Sequence, residues 1–329
     1  MRRTVIAAAL ILASATPAAA QEASAGYVVQ QGLNCAMVAA LYCPLAAAYA
    51  LVHGVTNRIV LSFGDFAMFG AFYTVYAVLF LLSGGVALLA ALGVVFAVAL
   101  LGTAALGLAS YRTAFAPVLG ARSQALMIVS VGLSIILQEV MRVQSGGREQ
   151  WLSPVATKPV ASGVIDGYAV SVTIQNIAFP AMAALLCLGL IVALARTPFG
   201  RAWRACCQDR GLAALSGLNV DRVVAASMAI SAALAAAAGY IIAVNYGGVS
   251  FYMGLVLGLK ALFATIIGGT GSIPGAVLGG FLLAAFETGW TSVFSSEYRD
   301  VAVFGVVVLV FILRPGGLLG VAIREDSEA

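Results

Sequence analysis

The chain has 329 residues, 62% of them hydrophobic and only 9% charged, with a formal net charge of +4 and a mean hydropathy of +1.05. A soluble domain carries about a quarter charged residues, so this chain cannot clothe a water-soluble globule. That excludes a soluble enzyme, a nucleic-acid binder, which needs a clustered basic face, and a disordered scaffold.

The first residues form a unit of their own. Arg2-Arg3 is a charged start, Val5 to Ala13 an apolar run, and Pro17-Ala18-Ala19-Ala20 a small-residue end. This is the pattern of a signal peptide over 1–20, too short to span well. Residues 21–329 then read as a single transmembrane domain.

Beyond it, apolar stretches predict spans at Tyr27–Val52, Ile59–Leu82, Val86–Ala109, Ala125–Val140, Ile174–Ala195, Val223–Val244, Leu255–Ile267, Ala276–Val293 and Val301–Leu313. A span needs about 20 apolar residues, and the seventh is short enough to be broken or re-entrant. The expected fold is therefore an all-α, polytopic helical bundle of about 8–9 transmembrane helices. Counting nine crossings puts the mature N-terminus outside and the C-terminus in the cytoplasm. Lys and Arg gather in cytoplasmic loops. Here the inner loops hold Arg58, Arg112, Arg122, Arg196, Arg201, Arg204, Arg210, Arg222, Arg314 and Arg324, against Arg142, Arg148, Lys158 and Arg299 outside.

Two loops are long. The outer one, about 142–172, contains Gly146-Gly147, Pro154 and Pro159 and predicts an external cap. The inner one, about 196–222, has no Pro from Trp203 to Leu215 and predicts a short helix lying on the cytoplasmic face.

Chemistry-bearing residues are few. His53 is the only histidine, which removes paired-His zinc sites. The five cysteines, Cys35, Cys43, Cys187, Cys206 and Cys207, contain no C-x-x-C and read as small apolar residues. No metal, cofactor or catalytic residue is expected. A rhomboid-like intramembrane hydrolase would need Gly-x-Ser-Gly with a His partner, and no such run occurs.

The inner segment Gly200-Arg201-Ala202-Trp203-Arg204-Ala205-Cys206-Cys207-Gln208-Asp209-Arg210, continuing to Ser216-Gly217-Leu218-Asn219-Val220-Asp221-Arg222-Val223, resembles the permeases of branched-chain amino acid ABC importers, the H-type subunit of the pair. Further blocks in order carry the same resemblance. They are Gly132–Gln138, Gly258–Ala261, Gly268–Ala276, Ser296–Asp300 and Leu313–Gly320. The resemblance implies one half of a heterodimeric import pathway in the bacterial inner membrane, with a second permease subunit, two ATP-binding cassette ATPases and a periplasmic binding protein. It implies that the inner helix is a coupling helix, with Arg201, Trp203, Arg204, Asp209, Ala213 and Gly217 as its contact residues. Importers of urea and short amides resemble the same family and are the alternative.

Three places depart from the family pattern, the signal-like leader over 1–20, which this subunit does not usually carry, being one. Gly211 stands where relatives have Glu in Glu-x-Ala-x-x-x-Gly. Phe63 stands where they have His in Ala-His-Gly-Asp/Glu-Phe.

Ionisable residues inside spans are costly and face a protein interior or an aqueous cavity. Asp65 with Gly64, Lys260 and Glu287 are therefore candidates to line the pathway, two turns into the second span for Asp65; an interhelical ion pair is the competing reading for Lys260. The Gly268–Ala276 turn lacks the Lys-Ser/Thr of a P-loop. Gly269 and Gly271 are candidates for unwound backbone at the pathway, while Gly271, Gly275 and Gly279 also have the small-xxx-small spacing of close helix packing.

Overall fold

The computed structural model describes residues 25–83, 88–120, 123–153, 159–165, 168–269, 271–313 and 317. The signal peptide expected over 1–20, Arg122, Lys158, and the Arg314 to Gly320 part of the last family block, Gly317 excepted, lie outside them.

Among the described residues eleven α-helices carry the fold: α1 (Ala25–Thr56), α2 (Phe63–Ser83), α3 (Leu88–Ser110), α4 (Ser123–Gln144), α5 (Ile174–Arg196), α6 (Pro198–Gln208), α7 (Arg210–Leu215), α8 (Val220–Asn245), α9 (Met253–Gly268), α10 (Ile273–Val293) and α11 (Arg299–Leu313). Seven of them are long and apolar enough to cross a membrane: α1, α2, α3 with the turns that prolong it, α4, α5, α8 and α10. The nine stretches expected from the sequence all carry helices. The seventh and ninth, α9 and α11, have 16 and 15 residues. At 1.5 Å per residue α9 is about 24 Å long, short of a bilayer core of about 30 Å.

Small residues decide the packing. Lipid tails are as apolar as leucine, so membrane helices associate through close van der Waals fit rather than through the hydrophobic effect. The wholly buried Ala46–Ala48 of α1 and Ala235–Ala238 of α8 lie at the centre. A Cβ on Gly239 would strike the Ala67 carbonyl of α2, and one on Gly280 would meet Cys43 of α1 at about 3.0 Å. Around this core α4 and α5 turn apolar faces outward, with Ile128, Ile135, Leu185 and Leu188 exposed.

Three connections differ from a simple up-and-down bundle. After α1 the chain turns at Asn57, in the left-handed region at φ 50°, and runs back along α1, so that Phe63 packs edge-on against Tyr49 at 5.7 Å. Non-helical backbone at such depth is tolerated where protein buries it, and Val60 and Ser62 are buried. Helix α2 thus begins at Phe63 rather than near Ile59, and Asp65 lies in its first turn, not two turns in. Helix α3 runs on through a π-turn, Tyr111–Phe115, and a short 3-10 turn. The Tyr111 hydroxyl donates to Asp221 Oδ1 at the start of α8.

The loop expected over 142–172 holds β-structure. Strands β2 (Pro159–Ile165) and β3 (Tyr168–Thr173) form an antiparallel hairpin. Strand β1 (Gln150–Trp151) pairs with β4 (Gly248–Val249), which follows α8, placing Trp151 opposite Gly248.

Candidate functional site

Helix α9 carries Lys260 into the protein, 3% exposed, and α10 brings Glu287, 4% exposed, against it. The Lys260 Nζ lies 3.2 Å from Glu287 Oε2 and 2.9 Å from Asp300 Oδ1. The Tyr42 hydroxyl of α1 donates to Glu287 Oε2 at 2.7 Å and accepts from Lys260 Nζ at 3.0 Å. Arg299 Nε approaches Glu287 Oε1 at 3.3 Å and Asp300 at 3.7 Å. A buried charge is tolerable only when paired and hydrogen-bonded. The two buried members, Lys260 and Glu287, satisfy that condition through each other and Tyr42, with Asp300 and Arg299 at the start of α11 pairing beside them.

The cluster opens into a cavity of about 490 Å³ beside the β1–β4 pair. Lys260, Glu287, Arg299 and Tyr42 line it on one side, Glu149, Trp151 and Tyr246 on another, and Val38, Leu41, Ile242 and Leu257 supply apolar wall. The ion pair and the cavity are both present, so the two readings of Lys260 coexist in one place.

Asp65 stands elsewhere. It is 1% exposed, its Oδ1 accepts from Gln138 of α4 at 3.0 Å, and it does not line that cavity. Its Oδ2 is buried without a hydrogen-bond partner among the described residues. Gly64 is there for steric reasons: a Cβ on it would strike the Gly254 carbonyl and the Gly258 backbone of α9. The mirror contact holds at Gly254, whose Cβ would meet Asp65.

The glycines after α9 divide into two kinds. Gly269 and Gly271 have φ of 108° and 99°, conformations that favour glycine, and form the turn to α10. Around Gly271 a Cβ would meet nothing within 4 Å. The close crossing of α9 on α10 is made by Gly268, Gly275 and Gly279, whose added Cβ atoms would enter opposing backbone. Gly271 therefore belongs to the turn and not to the packing stripe.

The inner loop is two helices, not one. Thr197 caps α6, its hydroxyl accepting from Gly200 N at 3.3 Å, with Pro198 at the first helical position. Asp209 breaks the run and caps α7 by accepting from the amides of Gly211 and Leu212 at 2.6 and 3.0 Å. Helix α7 closes on Gly217, at φ 82°. Its amide donates to Ala214 O, and that of Leu218 to Ala213 O, which together make a Schellman end.

Trp203 anchors the pair. It is 7% exposed, its indole donates to Leu51 O at 3.1 Å, and its ring fills the space beside Gly54 of α1. Arg210 donates to Thr56 O, the last residue of α1, at 3.0 Å. Burial, then the nearby Arg58 guanidinium, lower its pKa. Arg204 donates to Leu194 O near the end of α5. Burial pushes the Cys207 thiol up to about 12, so it stays protonated. Ala213 is buried, while Arg201, Leu212 and Leu215 are exposed, the last at 85%.

The sequence reading missed Tyr42, Gln138, Trp151 and Asp300 as site residues. Thr197-Pro198 was a legible start signal for α6, a cap followed by proline. Tyr42 had none, since its partner Lys260 lies 218 residues away.

The model of the family described as branched-chain amino acid transport system / permease component matches residues 32–313. The chain is 32% identical to the high-affinity branched-chain amino acid transport system permease protein LivH of Escherichia coli over 297 residues, 89% of this chain and 96% of that one. It is 32% identical to the corresponding protein BraD of Pseudomonas aeruginosa over 299 residues, with the same coverage. A shorter match, 34% over 134 residues, reaches the xylose transport system permease protein XylH of Escherichia coli and covers 39% of this chain. A multi-pass helical body and matches over nearly the whole length converge: the chain belongs to the branched-chain amino acid transport system permease family.

Proposed function

We propose that this chain is the permease subunit of an ABC importer that moves branched-chain, neutral hydrophobic amino acids across the bacterial inner membrane. A second permease subunit completes the pathway, two ATPases drive alternating access from the cytoplasm, and a periplasmic binding protein delivers the ligand. The mature N-terminus lies outside, after loss of residues 1–20, and the C-terminus inside.

The observation that carries the coupling role is the construction of α6–α7. The pair is bolted to α1 through Trp203 and Arg210, yet offers Leu212, Leu215 and Arg201 outward. A partner pressing on α7 therefore moves α1 with it. Asp209 and Gly217 set where α7 starts and stops, and Ala213 lets it lie close. On the pathway side, Lys260 and Glu287 face a cavity. Asp65 is the second candidate, because its Oδ2 is buried without a partner among the described residues; Gly64 brings the backbone beside it close to α9, and Gly269 and Gly271 form the turn between α9 and α10.

The test is ATP-driven uptake in proteoliposomes containing all the subunits. Leucine is taken up, and Ala213→Trp abolishes uptake while the complex still assembles. Uptake of urea or acetamide in place of leucine overturns the substrate, and full uptake by Ala213→Trp overturns the lever. Asp65→Asn lowers uptake without loss of assembly; normal uptake removes it from the pathway.

A further inference from the structure

We infer that the cavity beside the β1–β4 pair is a recognition site for the charged head of a free amino acid, inside the permease itself. Lys260 and Arg299 receive the carboxylate, and Glu149 and Glu287 the ammonium. The inference rests on the importer reading and adds to it where, and by which groups, the ligand is read.

Three observations point to it. First, the cavity lining contains two cations and two carboxylates, so the site offers a complementary partner to each end of a zwitterion. Second, the polar groups are not sealed as a structural ion pair would be. Arg299 is 44% exposed at its side chain, and a guanidinium has five donors, more than its contacts to Glu287 and Asp300 use. Glu149 approaches next to β1 and makes no ion pair among the described residues. Third, the remaining wall is apolar, with Leu41, Ile242, Val256 and Leu257 available to an aliphatic side chain. At about 490 Å³ the space falls within the range of roughly 300–1,000 Å³ found for small-molecule sites.

Binding exchanges partners rather than creating charge. The incoming carboxylate takes the place of a protein carboxylate on Lys260, and the ammonium takes up the carboxylate so released. Urea or an amide can make no such exchange.

The test uses a reporter that does not depend on transport. Val256→Cys, or Leu257→Cys as a second reporter, is placed in the otherwise native full transporter without its binding protein. Maleimide labelling is measured above that of the unsubstituted complex. Leucine slows labelling, whereas leucinamide, which lacks the carboxylate, and 4-methylpentanoate, which lacks the ammonium, do not. Relative to each variant's own labelling rate without ligand, Arg299→Gln or Glu149→Gln weakens leucine protection at least about tenfold, the worth of one hydrogen bond to a charged group. Equal protection by all three compounds, or none by leucine while the complete system imports leucine, overturns the site and leaves the importer reading standing. Absence of leucine import by the complete native system overturns both.

Discussion

The ion cluster at Lys260 and the α6–α7 segment solve opposite problems with the same kinds of residue. In the cluster, charge is taken inside and neutralised by other charges, Glu287 and Asp300 around Lys260. In the segment, cations stay at the edge and are satisfied by uncharged carbonyls, Thr56 O for Arg210 and Leu194 O for Arg204. Those carbonyls belong to the last turns of α1 and α5, where backbone acceptors lack a helical partner and the helix dipole favours positive charge. An internal charge pair fails as a unit when one member is removed, whereas an arginine on a helix end can lose its contact and return to water.

The largest effect should come from breaking the pair. Glu287→Ala removes one of the two carboxylates on buried Lys260 and leaves Asp300 at 2.9 Å, so it is expected to cost about 3 kcal/mol, the lower end for a broken buried pair, read as a fall in unfolding midpoint in detergent. Lys260→Met with Glu287→Leu, replacing both charges by apolar groups, should recover most of that stability without recovering transport. Trp203→Ala comes next, at about 3 kcal/mol by the lower end of buried tryptophan truncations, with a loss of ATP-driven uptake disproportionate to the loss of stability. Asp209→Ala removes the cap of α7 and should cost about 1 kcal/mol; Gly217→Ala, forced into the left-handed region, about the same. Both should reduce coupling, measured as leucine transported per ATP hydrolysed, more than they reduce complex yield. Glu139→Ala, which removes the exposed Glu139–Arg142 pair, should leave stability and uptake unchanged; any clear effect would show that the exposed face of α4 meets a partner.

The two regions also differ in how far the sequence revealed them. Charges and breaks in the inner loop are local, so Arg201, Trp203, Asp209 and Gly217 could be singled out from neighbouring residues. Even there Asp209 was read as part of one helix, because a capping aspartate and a helical one look alike until the backbone turns. The rare charges Lys260 and Glu287 were equally visible, but their partners were not. Tyr42 lies 245 residues from Glu287, and nothing in an apolar run announces which tyrosine will meet an ion. Apolar runs placed the helices well, yet they could not show that the chain folds back after Asn57. A buried irregular return and the end of a span have the same composition.

Helix α1 joins the two regions, with Tyr42 at one of them and Leu51, Gly54 and Thr56 at the other, and Pro44 lies inside it. Proline lacks the amide hydrogen that would bind the carbonyl four residues earlier, and its ring crowds that carbonyl. The rod therefore has a weak joint at Ala40–Pro44, spanning the tyrosine that holds the buried ions. A tilt applied to α1 at Trp203 would bend the helix first at that joint, beside the contact of Tyr42 with Lys260 and Glu287.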